Sequence, residues 1–170
     1  YQKLEWQKVQ GRFVDAPLIA HSEETLQMLS AALQLTCPSS GNREYSEKAI
    51  DLAVHYLSGI RRINEKKYKE IFRKTWPLNP VVSLILGPLS RRGFWQNTRS
   101  VFNFLTSLEP SGFQEFLSTN EEGSPALYGP HNLWDYLDEN YGLLISSDPV
   151  ERRSWSVAQD CLFRAEGLGL

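Results

Sequence analysis

Three arginines near the middle of the chain have the type and spacing to bind an anion. Arg91, Arg92 and Arg99 flank the aromatic and polar segment 93–97, and its last residue, Asn97, is of a type that often begins a helix. Backbone amides and the helix dipole favour anions at a helix start, and a guanidinium adds bidentate hydrogen bonds to a phosphate or carboxylate. The residues therefore allow an anion site. The alternative is that they are solvated arginines of a turn.

Other kinds of catalytic chemistry leave no motif in the sequence. It contains no GxxxxGK[ST], GxGxxG, HExxH, CxxC or GxSxG. The histidines, His21, His55 and His131, are far apart, and the cysteines, Cys37 and Cys161, suit packing positions better than a nucleophile or a metal ligand. The sequence thus predicts no metal site and no catalytic residue within this chain alone.

The composition of the chain is that of an ordinary globular protein. It has 170 residues with 18 Lys and Arg against 20 Asp and Glu, and a net charge of −2 does not draw the whole chain to nucleic acid or to an anionic membrane. Its two cysteines make no disulfide framework, and its apolar runs are shorter than the roughly 20 residues of a membrane helix. We therefore expect a cytoplasmic protein with no membrane segment.

Charged residues are segregated along the chain. Residues 43–99 hold twelve basic and five acidic side chains, a local charge of +7, whereas residues 109–151 hold nine acidic side chains and neither Lys nor Arg. Such segregation indicates a charged partner surface or docking of the two segments within the molecule. Two differently solvated faces are the simpler alternative.

Apolar residues recur at helical spacing along most of the chain, which predicts a mainly α fold. Asn64 is expected to begin a basic helix. Pro80 suits the first turn of a buried, apolar helix over residues 81–86, which the Gly-Pro pair at 87–88 would end.

The second half of the chain has similar boundary signals. Ser111 and Gln114 have the spacing of a capping box, in which two side chains satisfy the amides of a helix start. Pro130 suits the first turn of a further helix, and Gly142 would follow its end. Residues 143–145 are then the best strand candidate in this half.

Five short segments occur in a recognisable order along the chain. They are residues 5–17 (EWQKVQGRFVDAP), 75–80 (TWPLNP), 96–105 (QNTRSVFNFL), 127–130 (LYGP) and 133–137 (LWDYL). In this order they resemble large bacterial P-loop ATPases of the AAA and STAND type. Many such ATPases belong to anti-phage defence islands, and the BREX ATPases are similar in the same region.

The resemblance implies that this chain is the part of such an ATPase that follows the phosphate-binding loop. Residues 1–20 would end the nucleotide-binding core, residues 21–108 would form a helical lid, and residues 109–170 a helical or winged-helix-like segment. An arginine of the core edge or lid often reaches the γ-phosphate in such ATPases. Arg12 and Arg99 are the matching positions.

The implied function is that of a lid and coupling region, which transmits the nucleotide state of a multidomain NTPase to neighbouring domains. Its candidate nucleotide-sensing residues are Arg12, Pro80, Arg91, Arg92 and Arg99. The implied cofactor is ATP with Mg²⁺ in the complete protein and none for the isolated chain. The implied partners are the rest of the ATPase polypeptide or complex, other copies in a homo-oligomer, and nucleic acid reached through the complex.

Two other functions remain open. A nucleic-acid-binding winged-helix or helical module would use the basic segment 61–74 and the three central arginines. Tyr68, Phe72 and Trp76 could stack on bases, although their helical spacing is more typical of a core. A protein-interaction scaffold is the third function, and the segregated charges are its only support.

Overall fold

A computed structural model describes residues 22–36, 43–92, 100–120 and 126–168, which form eight helices. The helices are α1 (Ser22–Thr36), α2 (Arg43–Ile60), α3 (Glu65–Lys74), α4 (Pro80–Leu89), α5 (Ser100–Thr106), α6 (Phe113–Thr119), α7 (Pro130–Ser147) and α8 (Arg152–Gly167). This part of the chain contains no β-strand, so the predicted mainly α fold is confirmed. None of these eight helices is both long and apolar enough to cross a membrane.

Three helix starts follow the local signals in the sequence. Asn64 caps α3, because its side-chain oxygen accepts a hydrogen bond from the Lys67 amide at 3.1 Å. Asn79 caps α4, and Pro80 is the first helical residue. Pro130 is likewise the first residue of α7. The starts predicted at Asn64, Pro80 and Pro130 are therefore confirmed.

The strand predicted at residues 143–145 is wrong, because α7 continues through Gly142 to Ser147. Ile145 is buried in the core, whereas Leu143 is 90% exposed. Three apolar residues in a row do not distinguish a strand from a helical turn with one buried side chain. Within the described part of 109–170, the structure is helical and contains no strand of a wing.

Two other boundaries differ from the expectation. α4 does not end at 87–88 but continues to Leu89, with Pro88 inside its last turns. Ser111 does not cap α6, since its backbone has a φ of 57° and the capping position is Gly112. A capping side chain acts from extended backbone, which the left-handed conformation of Ser111 does not provide. The Gln114 side chain instead donates to a backbone carbonyl of α5.

Buried side chains form two clusters, and α1 and α4 contribute to both. The smaller cluster consists of Leu26, Ile50, Ala53, Val54, Tyr68, Ile71 and Phe72, from α1, α2 and α3. The larger cluster draws on α1 and on every helix from α4 to α8. In α1, Leu26 belongs to the smaller cluster and Leu29 to the larger one. In α4, Val82 belongs to the larger cluster, while Leu84 packs against the smaller one. α1 and α4 thus connect the two clusters.

α4 lies close to α1 but is not buried all round. A methyl group placed on Gly87 would lie 3.4 Å from the Thr25 side chain, which leaves little spare room between the two helices. On the other side, Val81 and Ile85 are 42% and 39% exposed. The prediction of a buried α4 is therefore right for the side that faces the core and wrong for its outer side.

The predicted boundary between residues 108 and 109 falls within one cluster. Phe104 of α5 and Phe113 of α6 are both buried, and their ring centroids are 5.9 Å apart. Helices on the two sides of this boundary therefore share a core. The division into three segments stays a prediction.

Candidate functional site

Two of the segments that carry the family resemblance lie side by side. The Tyr128 amide donates to the Pro77 carbonyl at 2.9 Å, and the Asn79 amide donates to the Tyr128 carbonyl at 3.0 Å. These bonds make a parallel bridge between Leu78 and Tyr128, both of which are fully buried. We call residues 77–80 with 127–130 the junction. It joins positions that are about fifty residues apart in the sequence.

Two helices begin at the junction. Pro80 opens α4, and Pro130 opens α7. The side chains of Asn79 and Asn132 accept hydrogen bonds from backbone amides at these two starts, at 2.9 Å and 2.8 Å. The positive ends of two helix dipoles therefore lie next to each other, which is electrostatically favourable for an anion. Pro80, a candidate sensing residue, is buried here.

Two buried hydroxyl groups tie the segment before the junction to α4. The Ser83 hydroxyl lies 3.2 Å from the Thr75 hydroxyl, and Thr75 donates in turn to the Phe72 carbonyl at 3.0 Å. Thr75 and Ser83 are at most 1% exposed. Because each buried polar group has a partner, the pair holds the end of α3 and the start of α4 in one arrangement. Sequence reasoning missed this pair, since Thr and Ser at that spacing are common.

Arg91 and Arg92 lie at the opposite end of α4 from Pro80. The helix has ten residues, which at about 1.5 Å per residue separates its ends by about 15 Å. Both arginines are exposed and follow the C-terminal cap Ser90. Their amides donate to the carbonyls of Pro88 and Leu89. A helix C-terminus favours cations, so the helix dipole here stabilises the arginines and does not attract an anion.

Arg92 has a specific partner in the acidic half of the chain. Its guanidinium donates to the Glu151 carboxylate at 3.1 Å. The Glu151 side chain is only 16% exposed, and the Arg92 side chain is 57% exposed. The ion pair connects the end of α4 to the start of α8. It also joins the basic and acidic segments, as docking within the molecule requires.

The other two sensing candidates, Arg12 and Arg99, lie outside the described residues, as does Asn97. α5 begins at Ser100. The anion site proposed for the segment around Arg99 therefore stays a prediction. Of the five candidates, the structure places Pro80 at the junction and Arg91 and Arg92 at the far end of α4.

The basic helix α3 is neutralised by neighbouring carboxylates. Arg73 binds Glu47 of α2 through two hydrogen bonds, at 2.6 Å and 2.8 Å. The further ion pairs are Lys67 with Glu23, Lys69 with Asp51, and Lys74 with Glu70. Within the described residues, Lys66 is the one basic residue of α3 with no ion pair. A phosphate track along α3 would have to replace these carboxylates.

Aromatic residues of α3 also belong to the core. Tyr68 and Phe72 are 4% and 1% exposed, and their ring centroids are 6.0 Å apart in an edge-on contact. The core interpretation of these two residues is confirmed. Neither ring is available to stack on a nucleic-acid base.

A second polar network, which sequence reasoning missed, fixes the connection between α5 and α6. The Tyr136 hydroxyl of α7 donates to the Glu109 carboxylate at 2.6 Å, and the Tyr128 hydroxyl lies 3.0 Å from the Ser111 carbonyl. Burial raises the pKa of both tyrosines, and the hydrogen bond to Glu109 raises that of Tyr136 further. Both phenols therefore stay neutral. The network positions the connection between α5 and α6.

No group of three or more His, Cys, Asp or Glu residues in the described ranges has the arrangement of a metal site. Comparisons of the chain with protein-family models, with curated proteins and with solved structures found no match.

Proposed function

We propose that this chain is the lid and coupling region of a multidomain P-loop NTPase, and that it transmits the nucleotide state to neighbouring domains. The proposal includes a cytoplasmic, bacterial anti-phage role, with ATP and Mg²⁺ bound in the complete protein. The resemblance of the five segments motivates it. The observation that carries it is the position of α4, which runs from the junction to the Arg92–Glu151 ion pair.

The junction lies at the N-terminal end of α4, and a nucleotide phosphate would act there. Two helix starts meet there, and their dipoles favour negative charge. Arg12 and Arg99 would approach the same phosphate as cationic partners. Pro80 shapes the α4 start, because its ring fixes the backbone φ of the first turn.

A displacement at the junction would pass along α4 as a rigid body. Val82 and Leu86 pack in the larger cluster, and Leu84 packs against the smaller one, so α4 cannot move without shifting side chains of both. At the far end, Arg92 holds Glu151 and with it the start of α8. This is a shear mechanism, in which packed helices slide by a small distance.

Hydrogen exchange of the complete ATPase polypeptide tests this proposal. Addition of ATP or ADP should slow amide exchange at the junction, in α4 and at residues 148–152. Residues 160–164, which are exposed on α8 and belong to neither cluster, serve as the internal control and should not change. In Glu151→Gln, the nucleotide should still protect the junction, while its effect at residues 148–152 should be lost. Unchanged exchange in α4 upon addition of nucleotide would refute the coupling function.

The structure does not favour the nucleic-acid-binding alternative, because the basic helix α3 is paired with carboxylates and its aromatic rings are buried. The protein-interaction alternative has one observation in its favour: Leu52, Tyr56 and Ile60 of α2 are 59%, 65% and 82% exposed.

A further inference from the structure

α8 contacts the rest of the described structure along one side. Among the α8 side chains that the structure describes, only Trp155 is buried, and its ring stacks on that of Trp134 of α7 with the centroids 4.4 Å apart. Val157 and Phe163 do not share the side of Trp155, and they are 56% and 78% exposed. We define the α8 outer side as Arg153, Ser156, Val157, Asp160 and Phe163.

A groove lies along the N-terminal half of the α8 outer side. It has a volume of about 430 Å³ and is lined by Pro149, Arg152, Arg153, Ser156 and Val157. The Arg152 amide donates to the Asp148 carbonyl at 3.0 Å, so the helical turn extends back beneath the whole groove. Because a cavity of about 150 Å³ already holds a benzene molecule, this groove has room for a phenyl ring.

Phe163 lies on the same side of α8 as the groove, but in the other half of the helix. It follows Ser156 by seven residues, which is almost two helical turns. The ring does not reach the groove of its own helix, since Arg153 and Phe163 are about 15 Å apart along the axis. A second α8 that runs in the opposite direction brings such a ring to the groove.

The α8 outer side also has one cation and one anion without a counterion. Arg153 and Asp160 are exposed, and within the described ranges neither forms an ion pair; nor does Arg164, one turn after Asp160. Arg153 and Asp160 are about 10.5 Å apart along the helix, which is too far for them to bind each other. Each therefore lacks a partner that a second α8 contains.

A two-fold axis through α8 brings these two charges together. In an antiparallel pair of identical helices, residues at equal distances from the axis lie opposite each other. Arg153 and Asp160 are equally far from the point between Ser156 and Val157. An axis at that point places each Arg153 opposite the Asp160 of the other copy. It also places the two Val157 side chains next to each other.

The same axis places Phe163 at the groove of the other copy. The Cα atom of Phe163 lies opposite Val150, and helical side chains lean toward the N-terminus of their own helix. The ring therefore extends from Val150 toward Arg153 of the second copy, along the groove. In this arrangement no basic residue of α8 lies opposite another basic residue.

We propose that α8 is a homodimerisation helix, which packs antiparallel on α8 of a second copy about a two-fold axis between Ser156 and Val157. Each contact then occurs twice, as in any isologous interface. The ring, the groove and both charges come from one helix, so a second copy is the partner that matches this surface in shape and charge.

The dimer should be weak and should form whether or not nucleotide is bound. One helix pair buries less surface than a standard stable interface, which buries about 1,600 Å², so association is expected at micromolar concentrations. The proposal does not depend on the nucleotide role of the junction, which lies at the other end of α4 from the Arg92–Glu151 contact with α8.

Sedimentation velocity of the 170-residue chain tests the proposal. The average mass should rise with protein concentration and level off at two copies, and added salt should weaken the dimer because its ion pairs lie near solvent. Arg153→Glu creates two acidic pairs across the axis, and Asp160→Lys creates two basic pairs. Each variant should dimerise about tenfold more weakly or less still, with an unchanged melting temperature because both residues are exposed.

Combining the two charge reversals gives the sharpest result. In a mixture of Arg153→Glu with Asp160→Lys, both cross-axis pairs again have opposite charges, so the mixture should form a 1:1 heterodimer. The double variant Arg153→Glu/Asp160→Lys should recover the homodimer for the same reason. Arg62→Glu is the matched control, because it reverses an exposed charge outside α8 and should dimerise like the parent chain.

Phe163→Ala tests the groove without changing any charge. Loss of the ring should weaken the dimer about tenfold, as expected for an aromatic side chain that fills a pocket at an interface. Tyr56→Ala is the matched control, since Tyr56 is a 65% exposed aromatic residue of α2. It should leave dimerisation unchanged.

Three outcomes would overturn the proposal. The first is a parent chain that stays monomeric at high micromolar concentration. The second is a dimer whose affinity is unchanged in Arg153→Glu, Asp160→Lys or Phe163→Ala. The third is a mixture of the two charge variants that contains only monomers, because Arg153 and Asp160 then do not face each other across a two-fold axis.

Discussion

The ion pair between Arg92 and Glu151 is the most direct test of how α4 is connected to α8. Replacing Arg92 by Gln removes the cation and leaves a carboxylate whose side chain is only 16% exposed. A carboxylate that loses its partner in such a position is poorly solvated. The free energy of unfolding should therefore fall more than it does for a typical surface ion pair.

The burial of Glu151 sets the expected magnitude. Exposed ion pairs contribute about 0.2–1 kcal/mol, and an unsatisfied buried polar group costs about 1–3 kcal/mol. Because Arg92 itself is more than half exposed, we expect Arg92→Gln to cost about 1–2 kcal/mol. In a chain of this size that corresponds to a fall in melting temperature of roughly 2–8 °C.

A double-mutant cycle with Glu151→Gln, measured by urea unfolding, isolates the coupling between the two side chains. We expect a coupling energy of about 1 kcal/mol. The matched control is Lys74 with Glu70, an i,i+4 pair at 3.1 Å whose side chains are 41% and 65% exposed. Its coupling should be about 0.3–0.5 kcal/mol. A coupling for Arg92 and Glu151 no larger than that of the control would refute the connection between α4 and α8.

Two further predictions concern other polar contacts. Hydrogen bonds from Arg73 lower the pKa of Glu47 below its usual 4.5, so this carboxylate stabilises the fold above that pH and loses its contribution as the pH falls through the lowered pKa. Glu47→Gln should therefore flatten the loss of stability as the pH falls below 4.5, as followed by urea unfolding. Tyr136→Phe removes the hydrogen bond to Glu109 and should cost about 1 kcal/mol, whereas Tyr56→Phe, at a 65% exposed position, should leave the unfolding midpoint unchanged.

Local signals were sufficient where a single residue type decides the backbone. Asn64 caps α3 with its own side chain. Proline is favourable at the start of α4 and α7, because the amide that it lacks would have no partner within the first helical turn. These starts depend on residues within one turn of the boundary. That is why sequence reasoning located them.

Tertiary packing decided the boundaries that sequence reasoning missed. Gly142 is unfavourable within a helix, but α7 continues past it because Ile145 gains burial in the larger cluster. Ser111 lies beside the Tyr128 hydroxyl, and its left-handed backbone removes it from the capping position. Neither the burial of Ile145 nor the contact between Tyr128 and Ser111 can be predicted from neighbouring residues, because both depend on residues that are distant in the sequence.

The candidate site also contains residues with a local sequence signal and residues that only tertiary contacts bring together. Pro80 was predicted as a helix start and lies at the junction, and its sensing role stays a prediction. Its neighbour across the junction, Tyr128, was found only as part of a separate motif, since a bridge between residues 78 and 128 has no local pattern. Arg91 and Arg92 lie just after the C-terminal end of α4, and the helix start expected at Asn97 lies outside the described residues, so the anion site stays a prediction.

The distribution of ion pairs bears on whether the basic and acidic segments dock on each other within the molecule. If the basic and acidic segments neutralised each other within the molecule, most ion pairs would join them, but Arg92 with Glu151 is the one such pair in the described ranges. Lys67, Lys69, Arg73 and Lys74 of α3 instead bind carboxylates of α1, α2 and α3. Four basic residues of α3 are therefore neutralised locally, while Asp135 and Glu139 of α7 are exposed and have no ion pair within the described residues. Like charges four residues apart on one helix face repel each other, so Asp135 and Glu139 weaken α7 slightly and leave a local negative charge on the acidic half. No Lys or Arg between residues 109 and 151 can reduce this repulsion from within the acidic half.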